Sequence, residues 1–559
     1  MNSLVLLIGG IIIFLVAFFT YGSWLAKKWR LNNDNVTPAH RLEDGQDYVP
    51  SDKAVIFGHH FSSIAGAGPI TGPILAAGFG WLPAYLWIVL GSIFMGGVHD
   101  FGSLVASLRN DGKSIGEIIK KNISPKTKVI FNWYAWLTLA LVVAAFTDIC
   151  AKTFAYNPAG GSLVGAQAGT ASVLFIILAF VFGFFRNRLK AGLGISTLLG
   201  VIFLCGAIAL GYFFPVIKLS VNGWRVALII YIVLASVLPV WLLLQPRDYL
   251  CSFLLYGMLA GAVLGIFIKH PAITLAPVTS FTVKGQTLFP YVFITIACGA
   301  ISGFHSLVSS GTTSKQLNKE RPDAKIIGYG SMLLEGFMAI VALIAVGYIA
   351  TGTGSGLKGT PVEIFANGVS WFMTGFGLNP RLGKVFITLA FSAFALTSLD
   401  TATRIGRYTM QELGAGTANE DGSQKTGILA AVGRFCANRY VATLLTVGLG
   451  VVMLVAGYAK IWPIFGSANQ LLAALALLAI TAWNLKEGRR SWETIIPLVF
   501  MFAVTLTALF LIIRKNLSGA EGAYVPLAII GIFLAVLAVA QLIEAIVVFG
   551  KEKKNAVTQ

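Results

Sequence analysis

Apolar residues run along this chain in blocks separated by short polar loops. Each block holds about 20 residues, enough to cross a hydrocarbon layer of ~30 Å. Transmembrane helices are expected at about 4–26, 54–79, 81–108, 129–154, 164–185, 192–214, 224–246, 249–268, 289–312, 326–350, 384–408, 440–458, 461–484, 492–513 and 525–549, about 15 spans in all. The second departs from the plain pattern. Its stretch "FGHHFSSIAGAGPITGPILAAGFG", Phe57 to Gly80, carries two adjacent histidines and the helix breakers Gly66, Gly68, Pro69, Gly72 and Pro73. Each proline removes a backbone donor and clashes with the turn before it. Unpaired backbone at membrane depth is tolerated only inside protein or beside a watery cavity. The freed amides and carbonyls can then meet an ion or an anionic substrate, helped by the half-helix dipoles.

The ninth span, "IACGAISGFHSLVSSGTTSKQ" from Ile296 to Gln316, has the same texture: a His, then Ser-rich and Gly-rich backbone, then a basic end. It lies seven spans after the second, and an odd separation puts the two in opposite orientation. Paired interrupted segments in inverted halves point to a transporter site at the bilayer midplane.

Composition narrows the class. Hydrophobic residues make up 56% of the 559 and charged residues 11%, with mean hydropathy +0.80; soluble domains carry roughly 25% charged residues. An all-α integral membrane protein is expected. The net charge of +18 is spread over short loops rather than gathered in a patch, so no nucleic-acid partner is expected. With the N-terminus outside, about 30 of the 41 Lys and Arg fall on the cytoplasmic side, and the C-terminus is cytoplasmic too. Lys27, Lys28 and Arg30 follow the first apolar run, which reads as a retained span rather than a cleaved leader. The five cysteines lie singly in or beside apolar runs and suggest packing, not disulfides.

Three connecting segments stand out. Thr351–Thr360 reads as a flexible outer loop, and "QELGAGTANEDGSQKTG" as a mobile cytoplasmic one. "PVEIFANGVSWFMTGF", beginning at Pro361, is apolar but too short to span and is expected at the outer surface as an interfacial or re-entrant helix.

Titratable groups inside spans are functional candidates because burying them is expensive. His59 shares a helical face with Ser62, Ser63 and Gly66. The third span places His99 and Asp100 after two glycines, and the tenth places Glu335 one to two turns from its inner end. In the eleventh, Asp400 lies one turn after Thr397 and one turn before Arg404. A neutral Asp400–Arg404 pair is the structural alternative there. His59, His60, His99, Asp100 and His305 could in principle hold zinc or iron, but no His-Glu-x-x-His or close ligand cluster supports it. No Gly-x-Ser-x-Gly motif is present, so hydrolytic chemistry is not expected.

"DYVPSDKAVIFGHHFSSIAGAGPITGPILAAGFGWLPAYLWIVLGSIFMGGVHDFGSL", Asp47 to Leu104, resembles the signature region of the carbon starvation protein A family. "SGTTSKQL", "RPDAKIIGYGSMLLEG", "FALTSLDTATRIGRY" and "IWPIFGSANQLLAAL" carry the resemblance through the rest of the chain. The resemblance implies a nutrient importer of the bacterial cytoplasmic (inner) membrane, associated with peptide uptake and in some members with proton-coupled pyruvate uptake. It also implies the amino acid–polyamine–organocation superfamily, with a leucine-transporter-like five-plus-five inverted-repeat core containing two discontinuous helices. On that plan residues 1–53 form the first span and a loop, and 54–484 the core, with halves at about 54–214 and 271–484 around inserted spans at 215–270. Residues 485–559 add accessory spans. The helix at 361–376 would match the lid-like helix of such folds, and the eleventh span would face the unwound second.

The resulting expectation is a secondary active importer of short peptides or small carboxylates, proton-coupled, or sodium-coupled as the alternative, with no other cofactor. Its partners are the small-molecule substrate and the lipid bilayer. Ser62, Ser63, Gly66, Ala67 and Gly68 would meet substrate with His305, Ser306 and Ser309. Asp400 would carry the proton, with Asp100 and Glu335 as reserves and Thr397 and Ser398 beside it, and His59 and His60 would gate. A membrane nutrient sensor and a metal-dependent membrane enzyme are the readings from other classes.

Overall fold

The computed structural model describes the chain except residues 46, 157–161, 190–192, 240–242, 284, 351–358, 416–427, 520–522 and 559. Most of the Thr351–Thr360 loop and of the polar segment after Gln411 therefore lies outside the described residues. Eleven helices among the described residues are individually long and apolar enough to cross a membrane. The seventh span is a shorter helix, Val221–Val237, and the twelfth, Arg439–Leu454, turns 83° from the helix before it. The second and ninth spans account for the rest, because each is two short helices. The all-α, multi-pass membrane fold follows the expected spans.

The second span consists of a leading arm, Lys53–Ile64, and a trailing arm, Gly68–Ala76. The ninth has arms Leu288–Thr295 and Gly303–Gly311. The two run antiparallel, side by side. The Val49 and Ser51 amides donate to the carbonyls of Lys315 and Gln316 at 3.2 and 3.1 Å. Gly68 lies against Cys298 at the middle. The Thr279 amide meets the Phe79 carbonyl at 3.1 Å at the far end. The interruptions thus face each other. The spans two places after each interruption, the fourth (Pro125–Phe154) and the eleventh (Pro380–Ala415), pack together as the most extensive helix pair among the described residues.

The spans that follow the interrupted ones each contain a π-helical stretch, Ser92–Gly96 in the third and Lys325–Gly330 in the tenth. Such bulges recur at functional sites; here they lie just before Asp100 and Glu335. The thirteenth span, Tyr458–Lys486, is buried along its length at the centre. The sixth and fifteenth turn Ile195, Phe203, Ile529 and Val536 outward, as lipid-facing helices do.

Two expectations change. Helix Pro361–Met373, expected as an interfacial or re-entrant helix, is packed among other helices rather than exposed at the surface. A capping box between Thr360 and Glu363 starts it, and Val362, Phe365, Val369 and Phe372 are buried against the eighth, tenth and eleventh spans and the trailing arm of the second. Its apolar residues cover protein on several sides, a property that hydrophobic length alone does not reveal. The eighth span starts at Leu244, so Arg247 and Asp248, expected in a loop, lie inside a buried helix.

Candidate functional site

Glycine lets the two interruptions touch. A Cβ on Gly68 would lie 2.4 Å from the Cβ and Sγ of Cys298, and one on Gly72 would lie 2.7 Å from the Thr295 carbonyl oxygen. The freed backbone is taken up by neighbouring spans, as membrane depth demands. Asn469 accepts from the Phe304 amide at 2.9 Å and donates to Ser302 Oγ at 2.9 Å. Gln470 donates to the Phe293 carbonyl at 2.7 Å and Ser92 to that of Gly299 at 3.1 Å. On the second span, Ser398 donates to the Ser63 carbonyl at 3.0 Å, so the eleventh span does face this interruption.

Around the interruptions the hydroxyls of Ser62, Ser63 and Ser309 are fully buried without a hydrogen-bond partner among the described residues. Ser306 instead donates to the Gly303 carbonyl at 2.7 Å. Gly66, Ala67 and Gly68 are buried beside them. Unpaired hydroxyls at this depth are costly, and such groups suit a polar substrate that would satisfy them.

Two clusters of buried titratable groups lie beside the interruptions. In the first, His99 Nδ1 is 2.9 Å from Asp100 Oδ1, and His305 Nδ1 is 2.9 Å from Asp100 Oδ2. His305 Nε2 then comes within 3.4 Å of Glu335 Oε2. All four side chains are inaccessible. The third, ninth and tenth spans thus share one line of acid, imidazole and acid, and Glu335 has no hydrogen-bond partner among the described residues.

In the second cluster, Asp400 does not pair with Arg404. Its carboxylate contacts Arg247 and accepts from Tyr231 at 2.7 Å. Arg247 also donates to Asp248 at 2.9 Å, and Asp248 meets His59 Nδ1 at 3.1 Å. Arg404 donates to the carbonyls of Ala235 and Leu238, each at 2.6 Å. The carboxylates of Asp248 and Asp400 thus share the one buried guanidinium of Arg247. Thr397 donates to the Ala393 carbonyl at 3.0 Å. His60 Nδ1 lies 2.8 Å from Thr313 Oγ1. The histidines expected as possible ligands are thus dispersed over these partners, and no group of three His, Cys, Asp or Glu side chains among the described residues is arranged for a metal ion.

Arg247, Asp248, Tyr231 and Asn469 escaped the sequence reading. The signal for the first two was an adjacent opposite-charge pair wedged between apolar runs, "LLLQPRDYL"; for Asn469 it was a polar pair inside "IFGSANQLLAAL".

A cavity of about 450 Å³ opens at the face where the leading arm of the second span begins. It is lined by Leu307, Ser310 and Gly311 of the ninth span and by Phe131, Asn132, Tyr408 and Glu412. At the other face a small space of about 10 Å³ lies beside Thr71, Lys152 and Pro361. Asp148 there is held by Arg225 at 2.5 Å and Lys152 at 2.8 Å.

The sequence model of "Carbon starvation protein CstA" matches residues 2–359 and 352–508. The chain belongs to the carbon starvation protein CstA family. "Peptide transporter CstA" of Escherichia coli is 34% identical, the match covering 91% of this chain and 80% of the relative. "Pyruvate/proton symporter BtsT" of Escherichia coli is 33% identical, covering 91% and 81%. Among solved structures, the Eremococcus coleocola manganese transporter is similar at 13% identity and a TM-score of 0.47, covering 91% of this chain and 99% of that one.

Proposed function

We propose that this CstA-family chain is a transporter rather than an enzyme, a secondary active importer of short peptides and small carboxylates such as pyruvate, driven by protons. The carrying observation is the placement of His305, on the second arm of the interrupted ninth span, between the two buried acids Asp100 and Glu335. The names of the Escherichia coli relatives, a peptide transporter and a pyruvate/proton symporter, support this reading.

Substrate binds between the interruptions, where Ser62, Ser63, the amides of Gly66–Gly68, His305, Ser306 and Ser309 supply hydroxyl, amide and imidazole groups. Asp100 and Glu335 carry the proton. Asp400, held by Arg247 and Tyr231, serves to position the eleventh span instead. His59 and His60 tie the leading arm to Asp248 and Thr313 and act in gating. In a bacterial cytoplasmic membrane, with the N-terminus outside and the C-terminus cytoplasmic, the 450 Å³ cavity opens inward.

Uptake of labelled alanyl-leucine and of labelled pyruvate into proteoliposomes, with and without an acid-outside gradient, tests the proposal. Accumulation that needs the gradient is expected; equal uptake in its absence contradicts it. Ser398 on the Ser63 carbonyl is the observation that favours sodium as the second reading, and replacing sodium by choline in the same assay separates the two ions.

A further inference from the structure

The 450 Å³ cavity is lined by acids and bases that are mostly committed elsewhere. Glu117 pairs with Lys128, and Lys113 lies 4.0 Å from Asp111. Lys315 stacks its ammonium over the Tyr48 ring at 5.4 Å. Glu412 is different. Its two oxygens accept only from neutral donors, Ser114 Oγ at 3.3 Å and Asn132 Nδ2 at 3.2 Å, and no cationic nitrogen among the described residues pairs with it. Lys128, paired with Glu117, acts on it only from beyond ion-pair distance. In a chain of net charge +18, a half-buried carboxylate on a cavity wall whose direct partners are all neutral is a site prepared for a cation.

The rest of the cavity says which cation. Its volume lies within the range of roughly 300–1,000 Å³ typical of small-molecule sites. Phe131, Leu307, Ile405 and Tyr408 give it apolar walls, so a bare inorganic ion would leave most of it unmatched. Lys315, a cation of the wall with no acidic partner among the described residues, offers a place for a carboxylate. An acid and a base separated by apolar surface match a molecule with an ammonium at one end, a carboxylate at the other and side chains between. An extended dipeptide has that form and a reach of about 7 Å.

We propose that this cavity is a binding chamber for zwitterionic short peptides, in which Glu412 receives the α-ammonium group and Lys315 faces the carboxylate. The site is separate from Ser62–Gly68 and Ser309, none of which line it. It discriminates among substrates, because pyruvate has no ammonium to offer Glu412. The inference rests on the transport reading only for naming a peptide as the ligand.

The test uses the purified full chain and equilibrium binding of two probes, alanyl-leucine and N-acetyl-alanyl-leucine, which differ in the ammonium charge. The wild type is expected to prefer the free amine by about tenfold or more, the scale of a lost partner to a desolvated charge. In Glu412→Gln that ratio falls towards one, while binding of the acetylated probe persists and shows that the variant is folded. Glu412→Asp, which keeps the charge on a shorter stem, retains an intermediate ratio and serves if the Gln variant does not fold. A ratio unchanged in Glu412→Gln, or no preference in the wild type, overturns the site. If that happens while gradient-driven peptide uptake persists, the chamber fails and the transport reading stands. A ratio that collapses in a protein without any flux upholds the chamber and removes transport.

Discussion

His305 Nδ1 lies 2.9 Å from Asp100 Oδ2, joining the second arm of the ninth span to the third span. The same imidazole approaches Glu335 on its other side. Among the described residues His305 is the group that touches both acids of this cluster, and replacing it by Gln removes that link. Uphill accumulation should disappear, and the pH dependence of substrate exchange should flatten. A variant that keeps the wild-type pH profile would show that proton movement does not pass through His305.

Arg247 should matter more to stability than to substrate affinity. Removing a buried guanidinium strands the carboxylates of Asp248 and Asp400, and breaking a buried pair typically costs about 3–5 kcal/mol. Arg247→Met should therefore lower the thermal midpoint in detergent sharply, and adding Asp400→Asn should recover part of the loss. Thermal unfolding of the single and double variants measures this. An unaltered midpoint in Arg247→Met would remove the cluster's positioning role.

The contact between the interruptions makes a prediction about volume. Gly68→Ala drives its new methyl into the Cβ and Sγ of Cys298, with the Cys298 Cα farther off at 3.6 Å. Gly68→Ala alone should abolish transport. Combined with Cys298→Gly it should recover, but combined with Cys298→Ala it should not, because that variant keeps the clashing Cβ. Gly72→Ala meets backbone at Thr295 and Ile296 and has no such rescue. Uptake by the three Gly68 variants, normalised to folded protein, decides the point.

Asn469 replaces the hydrogen bonds that the ninth span loses at its interruption. Asn469→Ala leaves the Phe304 amide and Ser302 hydroxyl without this partner, at a cost of about 1–3 kcal/mol for an unsatisfied buried group. Hydrogen exchange at Phe304 should accelerate while distant amides such as those of the fourth span do not. Uniform acceleration would indicate general destabilisation instead.

The spans were legible because a bilayer imposes one length on every crossing helix, and Gly66 to Pro73 marked the second as interrupted because those residues remove helical donors and side chains. Partner choice was not legible. Sequence spacing offers Asp400 the nearby Arg404, whereas packing brings Arg247 from another span. Arg247 and Asp248 looked like loop residues because Pro246 and two charges end an apolar run, and only the neighbouring Tyr231, His59 and Asp400 make their burial tolerable. The same holds for Pro361–Met373, whose apolar residues face protein rather than lipid. Ser398 was placed correctly beside the second interruption, and Asp100 and Glu335 were noticed singly. Their connection through His305 needed three spans to be brought together.

The central claim, that Glu335 and Asp100 carry the driving proton through His305, is tested most directly by Glu335→Gln in proteoliposomes. The variant keeps the side chain's size and loses its titratable proton. Labelled pyruvate or alanyl-leucine should still exchange across the membrane by counterflow at a rate near that of the wild type, while an acid-outside gradient should no longer drive accumulation. Gradient-driven accumulation at the wild-type level in Glu335→Gln would contradict the account.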